Sequence, residues 1–570
     1  MAFRWVYSQP EDPDAVLMLQ RELNVPETIA RLLALRRINT FEHARTFFRP
    51  DLSLTHDPFL MRDMDKGAER LASAIRKNEK VVVYGDYDVD GTTATAIMYT
   101  FLKDFGLHVE YHIPNRFKEG YGLSEEGISK AASIGATLIV TVDCGITAVE
   151  EAKWARDIGI DMIICDHHNA GSEIPDAVAV LDPKRPDCNY PFDGLSGAGV
   201  GYKLIQATTR VLGLPDEKCH RFLDLLAISI ASDIVPIVDE NRILMREGLR
   251  LLNEAPRPGI KALMEMVRLG KNKVTTSEIV FSIGPRINAA GRMLHADTAV
   301  ELLIADNDAD AREKASELEQ INLKRRAVDN ETMEQAVEMI DRDYSIDNLS
   351  SLVLHHPEWH LGVIGIVASR LVDKYYRPAI MLSTVDGLVK GSARSIRGFN
   401  VYNALKECED MLMQFGGHEF AAGLTLDVKN LDQFRERFNV IVDKYFKEAD
   451  FEPEINVDAD LDLHEVDARF WKLLSQFEPF GPENTKPVFV SRNLRVVGNA
   501  TVVGNGHLKM RVAQNGSPEF DAIGFNMHEF LPKIRESKPG TLSMAYMIEE
   551  NTWQNKTTLQ MRIKDIGFED

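Results

Sequence analysis

Short apolar runs alternate with amphipathic stretches between residues 81 and 181 of the chain. The runs have the usual length of a strand, and the stretches between them have the spacing of helices that cover a sheet. This alternation is typical of a parallel α/β sheet. A helix is predicted to begin at Thr92 and to pack behind the first strand. The predicted strands are 81–84, 109–113, 137–142, 161–165 and 177–181.

The rest of the chain has other patterns. The N-terminal part is amphipathic with helical spacing, and we expect it to cap the domain that follows. From Ala296 to Ser345 there is neither proline nor glycine, and apolar residues recur at spacings of three and four, which predicts one long helix. A second α/β unit follows. Short alternating runs after it predict a small β-barrel of the OB type.

The predicted fold class is therefore α/β, with a parallel-sheet catalytic domain, a long helix, a second α/β domain and a C-terminal β-barrel. At 570 residues the chain is long enough for such a division. The predicted boundaries are 1–50 for the N-terminal helical cap, 51–295 for the catalytic domain, 296–345 for the connector helix, 346–450 for the second α/β domain and 451–570 for the barrel.

Composition restricts the compartment and the partners. No apolar run approaches the ~20 residues of a membrane span, and the first residues lack the apolar region of a signal peptide. The five cysteines are scattered and form no Cys-x-x-Cys pair, so we expect a reduced, cytoplasmic protein without membrane contact. We also expect a monomer. A net charge of −21 argues against nonspecific coating of nucleic acid, so any such binding is expected in a local groove.

Acidic residues follow the first predicted strand. Asp86, Asp88 and Asp90 alternate along the chain before Gly91. If the strand continues through them, their carboxylates lie on one side, and a hard divalent cation would relieve the repulsion. A solvated acidic loop is one alternative. Another is the nucleophile loop of haloacid-dehalogenase-like phosphatases, which residues 88–92 resemble.

Polar residues also follow other predicted strands, and the carboxyl ends of parallel strands meet in one crevice. Asp143 and Asp182 each have the alternative of a helix N-cap. The adjacent His167 and His168 are harder to explain by packing, since imidazole is a favoured ligand of transition metals. Asp233, after an apolar helix, is placed to close the crevice. The set suits two divalent cations, and its histidine favours Mn²⁺ over Ca²⁺. Such a pair of cations would activate water and stabilise a phosphoryl displacement.

Four segments resemble, in order, the motifs of the DHH phosphoesterase superfamily. They are Asp-Tyr-Asp-Val-Asp-Gly from Asp86, Val-Asp-Cys-Gly from Val142, Cys-Asp-His-His from Cys165 and Ala-Ser-Asp-Ile-Val-Pro from Ala231. Segments beginning at His56, Phe117 and Gly284 extend the resemblance to single-strand-specific bacterial exonucleases of that superfamily over nearly the full length. The dehalogenase-like interpretation leaves the Asp-His-His segment unexplained.

The resemblance implies a role for each of these residues. Asp143, Asp166 and His168 become catalytic residues: Asp166 would orient His167, and His168 would contact the scissile phosphate or the leaving oxygen. Tyr84 stands where some relatives carry a histidine, so this chain departs from the pattern of those relatives beside the first metal. The implied metal ligands are Asp88, Asp90, Asp143 as the bridge, His167 and Asp233, with Asp86 completing the shell directly or through water.

Candidate phosphate-binding residues lie outside these motifs. Arg286, Asn288 and Arg292 are predicted in a glycine-bounded loop, where a salt-bridge cluster at a helix terminus is the alternative. Arg116 is a weaker candidate of the same kind. Two further loops of small residues resemble the DHHA1 domain that faces the metal site in the superfamily, although plain glycine turns also fit. That resemblance implies that Ser392, Arg394, Gly417 and His418 anchor the strand end.

The barrel carries a further candidate surface. Arg495, Lys509 and Arg511, with the aromatic residues Phe525 and Tyr546, fit a platform for single-stranded nucleic acid. Core positions are the favoured interpretation of both aromatic residues.

The resemblance implies an exonuclease that uses two divalent metal ions, Mn²⁺ or Mg²⁺, to degrade single-stranded DNA. It further implies 5′ to 3′ digestion by metal-activated water, action in DNA repair and recombination, and association with single-stranded-DNA-binding protein. A DHH hydrolase of pyrophosphate, cyclic dinucleotides or short oligonucleotides is the alternative, disfavoured by the additional β-domain and the length. A noncatalytic DNA-binding scaffold is a third hypothesis, but it predicts missing ligands and the core ligands are present.

Overall fold

The structure is a computed structural model, and it describes residues 3–116, 118–120, 122–269, 273–343, 349–448, 452–553 and 556–569. Phe117 and Tyr121 of the predicted exonuclease-like motif, and Ser345 at the end of the predicted connector, lie outside these ranges.

The N-terminal segment combines a short strand with three helices. Thr40 caps the third helix, because its side chain accepts a hydrogen bond from the His43 N–H. Buried Ile29, Leu33 and Phe47 share a core with residues of the C-terminal barrel. The expected cap therefore packs mainly on the barrel and not on the next domain. The elements are β1 (Arg4–Tyr7), α1 (Asp14–Leu23), α2 (Glu27–Ala34) and α3 (Phe41–Phe48).

The catalytic domain is built on a parallel sheet with the strand order β3-β2-β4-β5-β6. Each strand lies within two residues of a predicted one. Alternate residues of β2 enter different cores, with Val81 and Val83 on one face and Val82 on the other. The elements are α4 (Met64–Lys77), β2 (Lys80–Tyr84), α5 (Val89–Lys103), β3 (His108–His112), α6 (Glu125–Ser133), β4 (Leu138–Val142), α7 (Val149–Asp157), β5 (Asp161–Cys165) and β6 (Ala179–Leu181).

Helix α5 begins before Thr92, the predicted start. Asp88 is its N-cap, since the Asp88 Oδ1 accepts a hydrogen bond of 3.0 Å from the Gly91 N–H. Strand β2 ends at Tyr84, so Asp86, Asp88 and Asp90 lie on a turn and the first helical residues and not on one face of a strand.

Helices complete the catalytic domain. The region around Arg286 was predicted as a loop, but it is a short π-helix, Ile279–Ile283, followed by an α-helix. Pro285 fits the first turn of this α-helix, and its glycines allow close packing against neighbouring residues. The helices are α8 (Gly197–Val211), α9 (Glu217–His220), α10 (Leu223–Ser232), α11 (Asp239–Glu254), α12 (Pro258–Met266), α13 (Thr276–Glu278) and α14 (Gly284–Met293).

The connector consists of two helices where one was predicted. Helix α15 (Asp297–Ile304) ends three residues before α16 (Asp308–Asp343) begins. Asn307 explains the break, because its side-chain oxygen accepts hydrogen bonds from the backbone N–H groups of Ala309 and Asp310. The long helix α16 nevertheless spans the distance between the two α/β domains, as expected.

The second α/β domain has a mixed sheet with the order β10-β11-β9-β8-β7, in which only the β7–β8 pairing is parallel among the described strands. Its elements are β7 (Leu352–His355), α17 (Leu361–Tyr375), β8 (Ala379–Val385), β9 (Leu388–Arg394), α18 (Val401–Lys406), β10 (Leu412–Gly417), β11 (Ala421–Asp427) and α19 (Leu431–Glu448).

The C-terminal domain is a β-barrel, as predicted. Strand β14 pairs with both β18 and β16, which closes the ring β14-β18-β19-β17-β16. Strand β12 pairs with β1 from the N-terminal segment. The elements are β12 (Glu454–Val457), β13 (Ala459–Asp460), α20 (Ala468–Leu474), β14 (Phe489–Val496), β15 (Thr501–Val503), β16 (His507–Ala513), β17 (Phe520–Gly524), α21 (Leu531–Glu536), β18 (Leu542–Trp553) and β19 (Lys556–Phe568).

Among the described residues, no helix has both the length and the apolar character needed to cross a bilayer.

Candidate metal centre and phosphate cavity

The predicted acids and one imidazole meet at the carboxyl edge of the catalytic sheet. His167 Nε2 lies 3.3 Å from Asp143 Oδ1, 3.5 Å from Asp233 Oδ2 and 3.7 Å from Asp90 Oδ2. Asp86, Asp88 and Asp143 form an adjoining group whose ligand atoms lie within 4.8 Å of one another. We call Asp86, Asp88, Asp90, Asp143, His167 and Asp233 the acidic cluster.

Several ligand atoms of the acidic cluster are buried without a hydrogen-bond partner. Within the described part of the chain, these atoms include Asp86 Oδ1, Asp143 Oδ1 and both ring nitrogens of His167. A buried polar atom left unpaired costs about 1–3 kcal/mol, and more if it is charged. Divalent cations would satisfy the carboxylate oxygens and one ring nitrogen of His167, so the residues fit a metal centre.

Burial and mutual repulsion shift the pKa values of the cluster. Burial, followed by the charges of Asp90, Asp88 and the other carboxylates, raises the pKa of Asp143 well above its ordinary value. Burial and Asp90 raise the pKa of Asp233 to about 9. Burial lowers the pKa of His167 and keeps its imidazole available as a neutral ligand. Without cations, the cluster therefore holds protons that a bound metal would displace.

Asp90 is held by the N-terminus of α8. Its Oδ2 accepts a hydrogen bond of 2.6 Å from the Gly197 N–H, and its Oδ1 accepts bonds from the Ala198 N–H at 2.9 Å and the Ser229 hydroxyl at 2.7 Å. A helix N-terminus favours a negative charge. The sequence analysis missed these partners, although the run Ser196-Gly-Ala-Gly at a helix start was a usable signal.

Gly197 also allows α8 to approach Asp143. A Cβ atom at residue 197 would lie 2.5 Å from the Asp143 Cβ and Oδ1 atoms, which no side chain tolerates. Asp143 itself has a left-handed backbone with φ of 64°. Such conformations are uncommon outside glycine and cluster at functional sites.

Asp166 contacts the imidazole of His168, whereas the sequence analysis assigned it to His167. Its Oδ1 lies 2.7 Å from His168 Nδ1 and accepts a bond of 2.7 Å from the His167 backbone N–H. The turn after β5 folds the carboxylate back over these groups, and its Oδ2 accepts from the Ile146 N–H. Burial alone would lower the pKa of His168, but the hydrogen bond and charge of Asp166 raise it to about 9.

An arginine-lined cavity of about 700 Å³ lies between the catalytic domain and the second α/β domain. We call it the phosphate cavity. It brings together several candidates for phosphate binding with residues that the sequence analysis did not select. Its lining includes Arg116, Ser392, Arg394 and Gly417 from the predicted set, and Tyr87, Lys390 and Phe415 in addition.

The cavity region concentrates positive charge. Burial, together with the charges of the neighbouring Arg116, Arg325 and Arg394, lowers the pKa of the Arg292 guanidinium to about 10. Arg292 also donates a hydrogen bond to the Gly362 carbonyl. A cluster of guanidinium groups suits the binding of a phosphate group, whose oxygens they can contact bidentately.

Three candidates occupy other surroundings. Arg286 Nε lies 2.6 Å from Glu319 Oε2, which is the salt-bridge alternative. The Asn288 side chain accepts a hydrogen bond from the Val89 N–H and so supports the start of α5. His418 lies in the turn between β10 and β11, where its Nδ1 accepts a bond from the Phe420 N–H.

The aromatic residues of the predicted barrel platform differ in their positions. Tyr546 is fully buried, and its hydroxyl lies 2.8 Å from the Ser491 hydroxyl. Phe525 is 46% exposed, with the Arg562 guanidinium 5.1 Å from its ring centre. The core interpretation is therefore right for Tyr546 and wrong for Phe525, whose ring lies at the surface.

Three family models match the chain, in the order of its domains. The family model for the DHH family, N-terminal domain, matches residues 80–230, the DHHA1 domain model matches residues 348–444, and the RecJ OB domain model matches residues 457–565. Together with the site, this order defines a phosphoesterase of the DHH superfamily.

Individual relatives narrow the class. The single-stranded-DNA-specific exonuclease RecJ of Bacillus subtilis is 39% identical over 100% of this chain and 71% of its own length. RecJ of Escherichia coli is 35% identical, covering 88% and 90% of the two chains. The chain therefore belongs to the RecJ family.

Solved structures agree with this assignment. The crystal structure of RecJ in complex with Mn²⁺ from Thermus thermophilus aligns with a TM-score of 0.84 at 27% identity, covering 100% of this chain and 80% of that chain. A crystal structure of exonuclease RecJ bound to manganese aligns with a TM-score of 0.59 at 32% identity, covering 69% and 98%. The predicted fold class is confirmed.

Proposed function

We propose that the chain is a metal-dependent exonuclease that degrades single-stranded DNA. The observation that carries this proposal is the acidic cluster at the sheet edge facing an arginine-lined cavity on a second domain. The cluster suits cations, and the cavity suits the phosphate at a strand end. The names of the RecJ relatives support single-stranded DNA as the substrate.

Two Mn²⁺ or Mg²⁺ ions are the proposed cofactors, because RecJ structures from Thermus thermophilus contain these metals. One group would be Asp86, Asp88 and Asp143, and the other Asp90, His167 and Asp233. Asp143 adjoins both groups and is the proposed bridge. When bound, such a pair supplies an activated water and stabilises the attacking and leaving oxygens of the phosphodiester.

Side chains of the protein would bind and orient the substrate. Asp166 keeps the His168 imidazole protonated and fixes its orientation, so His168 can donate a hydrogen bond to the scissile phosphate or the leaving oxygen. Arg116, Arg292 and Arg394 would hold the terminal phosphate and thus place the adjacent phosphodiester at the acidic cluster.

The proposal extends to features that rest on family membership. These are digestion from 5′ to 3′, action in DNA repair and recombination, association with single-stranded-DNA-binding protein, a monomeric state and a cytoplasmic location. The hydrolase of small substrates is the weaker candidate, because the chain has a barrel beyond the two α/β domains and resembles RecJ over its whole length.

Digestion of end-blocked single strands tests this function. The native chain should release nucleotides in Mn²⁺ or Mg²⁺ from a strand with a blocked 3′ end and leave a strand with a blocked 5′ end intact. Asp143→Ala should lose at least ~100-fold in rate, the upper end of the cost of removing a partner of a metal ligand. Faster hydrolysis of pyrophosphate or a dinucleotide than of a long strand would favour the small-substrate alternative.

A further inference from the structure

A loop between β3 and α6 carries Arg116 to the phosphate cavity. The Arg116 guanidinium carbon lies 5.3 Å from the centre of the Tyr87 ring, and both residues line the cavity. No carboxylate of the described residues forms an ion pair with Arg116. Its neighbours include other guanidinium groups, which repel it. The charge of Asp86 and the ring of Tyr87 attract Arg116, and contacts farther along the loop add to this attraction in holding Arg116 at the cavity.

Glu119 supplies several of these contacts. Its Oε1 accepts a hydrogen bond of 2.8 Å from the Asn115 N–H, and its Oε2 accepts one of 2.9 Å from the Ser124 hydroxyl. The same Oε2 lies 3.0 Å from His112 Nε2 at the end of β3. The Glu119 side chain is only 8% exposed. One buried carboxylate thus ties the start of the loop to its end, with Arg116 between them.

Tyr84 holds the far end of the same loop. Its side chain is fully buried, and its hydroxyl donates a hydrogen bond to the Gly122 carbonyl and accepts one of 3.2 Å from the Ser124 N–H. Tyr84 is the last residue of β2, two residues before Asp86. Its hydroxyl thus connects the strand that leads to the acidic cluster with the end of the loop.

We propose that Glu119 and Tyr84 are positioning residues, which fix the loop so that Arg116 faces the terminal phosphate of the substrate strand. This inference rests on the proposed function and deepens it. The strand tip that leads into the acidic cluster is then coupled, through Tyr84 and Ser124, to the loop that recognises the strand end. Cleavage register would depend on this coupling.

A double-mutant cycle tests the proposal in the full-length protein. Glu119→Gln keeps the size of the side chain and removes its charge, and Arg116→Ala removes the guanidinium. With a 5′-phosphorylated strand, Glu119→Gln should raise KM by about tenfold with little change in kcat, in the range of coupling between residues that share one network. In the Arg116→Ala background, the same substitution should change KM by less than about twofold.

Further comparisons separate positioning from general damage. Tyr84→Phe removes only the hydroxyl. It should raise KM by a smaller factor than Glu119→Gln does, and this increase should likewise disappear in the Arg116→Ala background. Glu126→Gln, an identical change at an exposed position nearby, should leave KM unchanged. For strands with a 5′-hydroxyl end, Glu119→Gln should change KM little. Equal effects of Glu119→Gln with and without Arg116, or on both kinds of strand end, would overturn the proposal.

Binding measurements keep this inference separate from the proposed function. Anisotropy of a labelled 5′-phosphorylated strand gives Kd for each variant without turnover. If the native chain fails to digest DNA, the proposed function is wrong, yet the cycle in Kd still decides whether Glu119 acts through Arg116. If the native chain digests DNA and the cycle shows no coupling, only the positioning role is wrong.

Discussion

Asp143 shows how one residue can favour metal binding at the expense of stability. Its carboxylate is buried among Asp86, Asp88, Asp90 and Asp233, and these charges raise its pKa. Its backbone is left-handed, a conformation that asparagine tolerates as well as aspartate. The side chain therefore contributes repulsion to the metal-free protein, and cations turn that repulsion into attraction.

Asp143→Asn should stabilise the metal-free protein while removing activity. The substitution keeps shape and backbone preference and removes a buried carboxyl group whose raised pKa makes folding less favourable at neutral pH. We therefore expect the free energy of unfolding in chelator to rise by ~1 kcal/mol, within the usual range of stabilising substitutions. The same variant should gain little from Mn²⁺. Denaturant unfolding with and without Mn²⁺ measures both effects, and a loss of stability in chelator would contradict the argument.

The stabilisation by Mn²⁺ should grow with pH. Carboxyl groups whose folded pKa is raised, such as Asp233 at about 9, contribute stability that is complete below the pKa of the unfolded chain and is lost as pH rises through the folded value. Metal binding also releases these protons, so it strengthens with pH. The difference in Tm between Mn²⁺-loaded and chelated protein should therefore widen between about pH 5 and about pH 9, as calorimetry would measure.

Asp166→Asn should shift the alkaline limb of the activity profile. The carboxylate of Asp166 holds the proton on His168, whose pKa is about 9. Asparagine lacks the charge, so His168 should lose its proton at lower pH and kcat/KM should begin to fall at lower pH than in the native chain. Bound cations lower the pKa of His168 in both proteins. The quantity to measure is therefore the difference in pH between the alkaline limbs of the two profiles. Identical profiles would show that His168 does not act as an acid.

At the scale of elements, the sequence predicted the catalytic sheet well and several helices poorly. Strands β2 to β5 are marked by continuous apolar runs, which have few alternative interpretations. The helix α14 was missed because Gly284 and Gly291 were taken as loop residues. In the structure these glycines lie where a side chain would collide, Gly291 with the Tyr87 carbonyl. Sequence alone does not distinguish a glycine that ends an element from one that permits close packing.

The same limit applies to the candidate site. Aspartate and histidine at strand ends were identified because topology brings such ends together. The N–H groups of Gly197 and Ala198, and the choice of Asp166 between two adjacent imidazoles, depend on tertiary placement and turn geometry. Contacts of this kind leave little trace in composition or periodicity.

Helix α8 offers a matched pair of substitutions. Gly197→Ala would place a Cβ atom 2.5 Å from the Asp143 side chain, whereas a Cβ atom at Gly201 would meet Val142 Cγ1 at an ordinary 3.6 Å. Displacing a reactive group by ~1 Å costs about 100-fold in rate, so Gly197→Ala should reduce kcat by about that factor. Gly201→Ala should retain activity. Comparable rates for both variants would contradict this account of α8.

At the scale of the whole molecule, Arg242 joins three parts of the chain. Its buried guanidinium, on α11, donates hydrogen bonds to one backbone carbonyl of the N-terminal segment. It also donates hydrogen bonds to several backbone carbonyls in the segment between α20 and β14 of the C-terminal domain. Burial, with the charges of Arg246 and Arg36, lowers its pKa to about 9. The accepting carbonyls belong to Phe47, Gln476, Phe477, Glu478 and Pro479.

Arg242→Met should loosen the barrel from the catalytic domain. Methionine fills similar space but removes the hydrogen bonds to the Phe47, Gln476 and Glu478 carbonyls, at about 1–3 kcal/mol for each buried group left unpaired. The Phe477 and Pro479 carbonyls keep hydrogen bonds from the Asn484 side chain. Tm should therefore fall, and the barrel should unfold separately in a calorimetric scan. Arg246→Met, an exposed neighbour with one bond to the Phe48 carbonyl, is the matched control and should change Tm little. A single transition at the native Tm for Arg242→Met would contradict this role.

The shared core of the N-terminal helices and the barrel has a consequence for synthesis. Helices α1 to α3 leave the ribosome some 400 residues or more before their apolar partners in residues 459–566. At 5–20 residues per second, the interval is on the order of tens of seconds. During that time the two α/β domains can fold while the amphipathic face of the first helices stays uncovered and open to chaperones. Synthesis of the barrel thus ends the exposure of these helices.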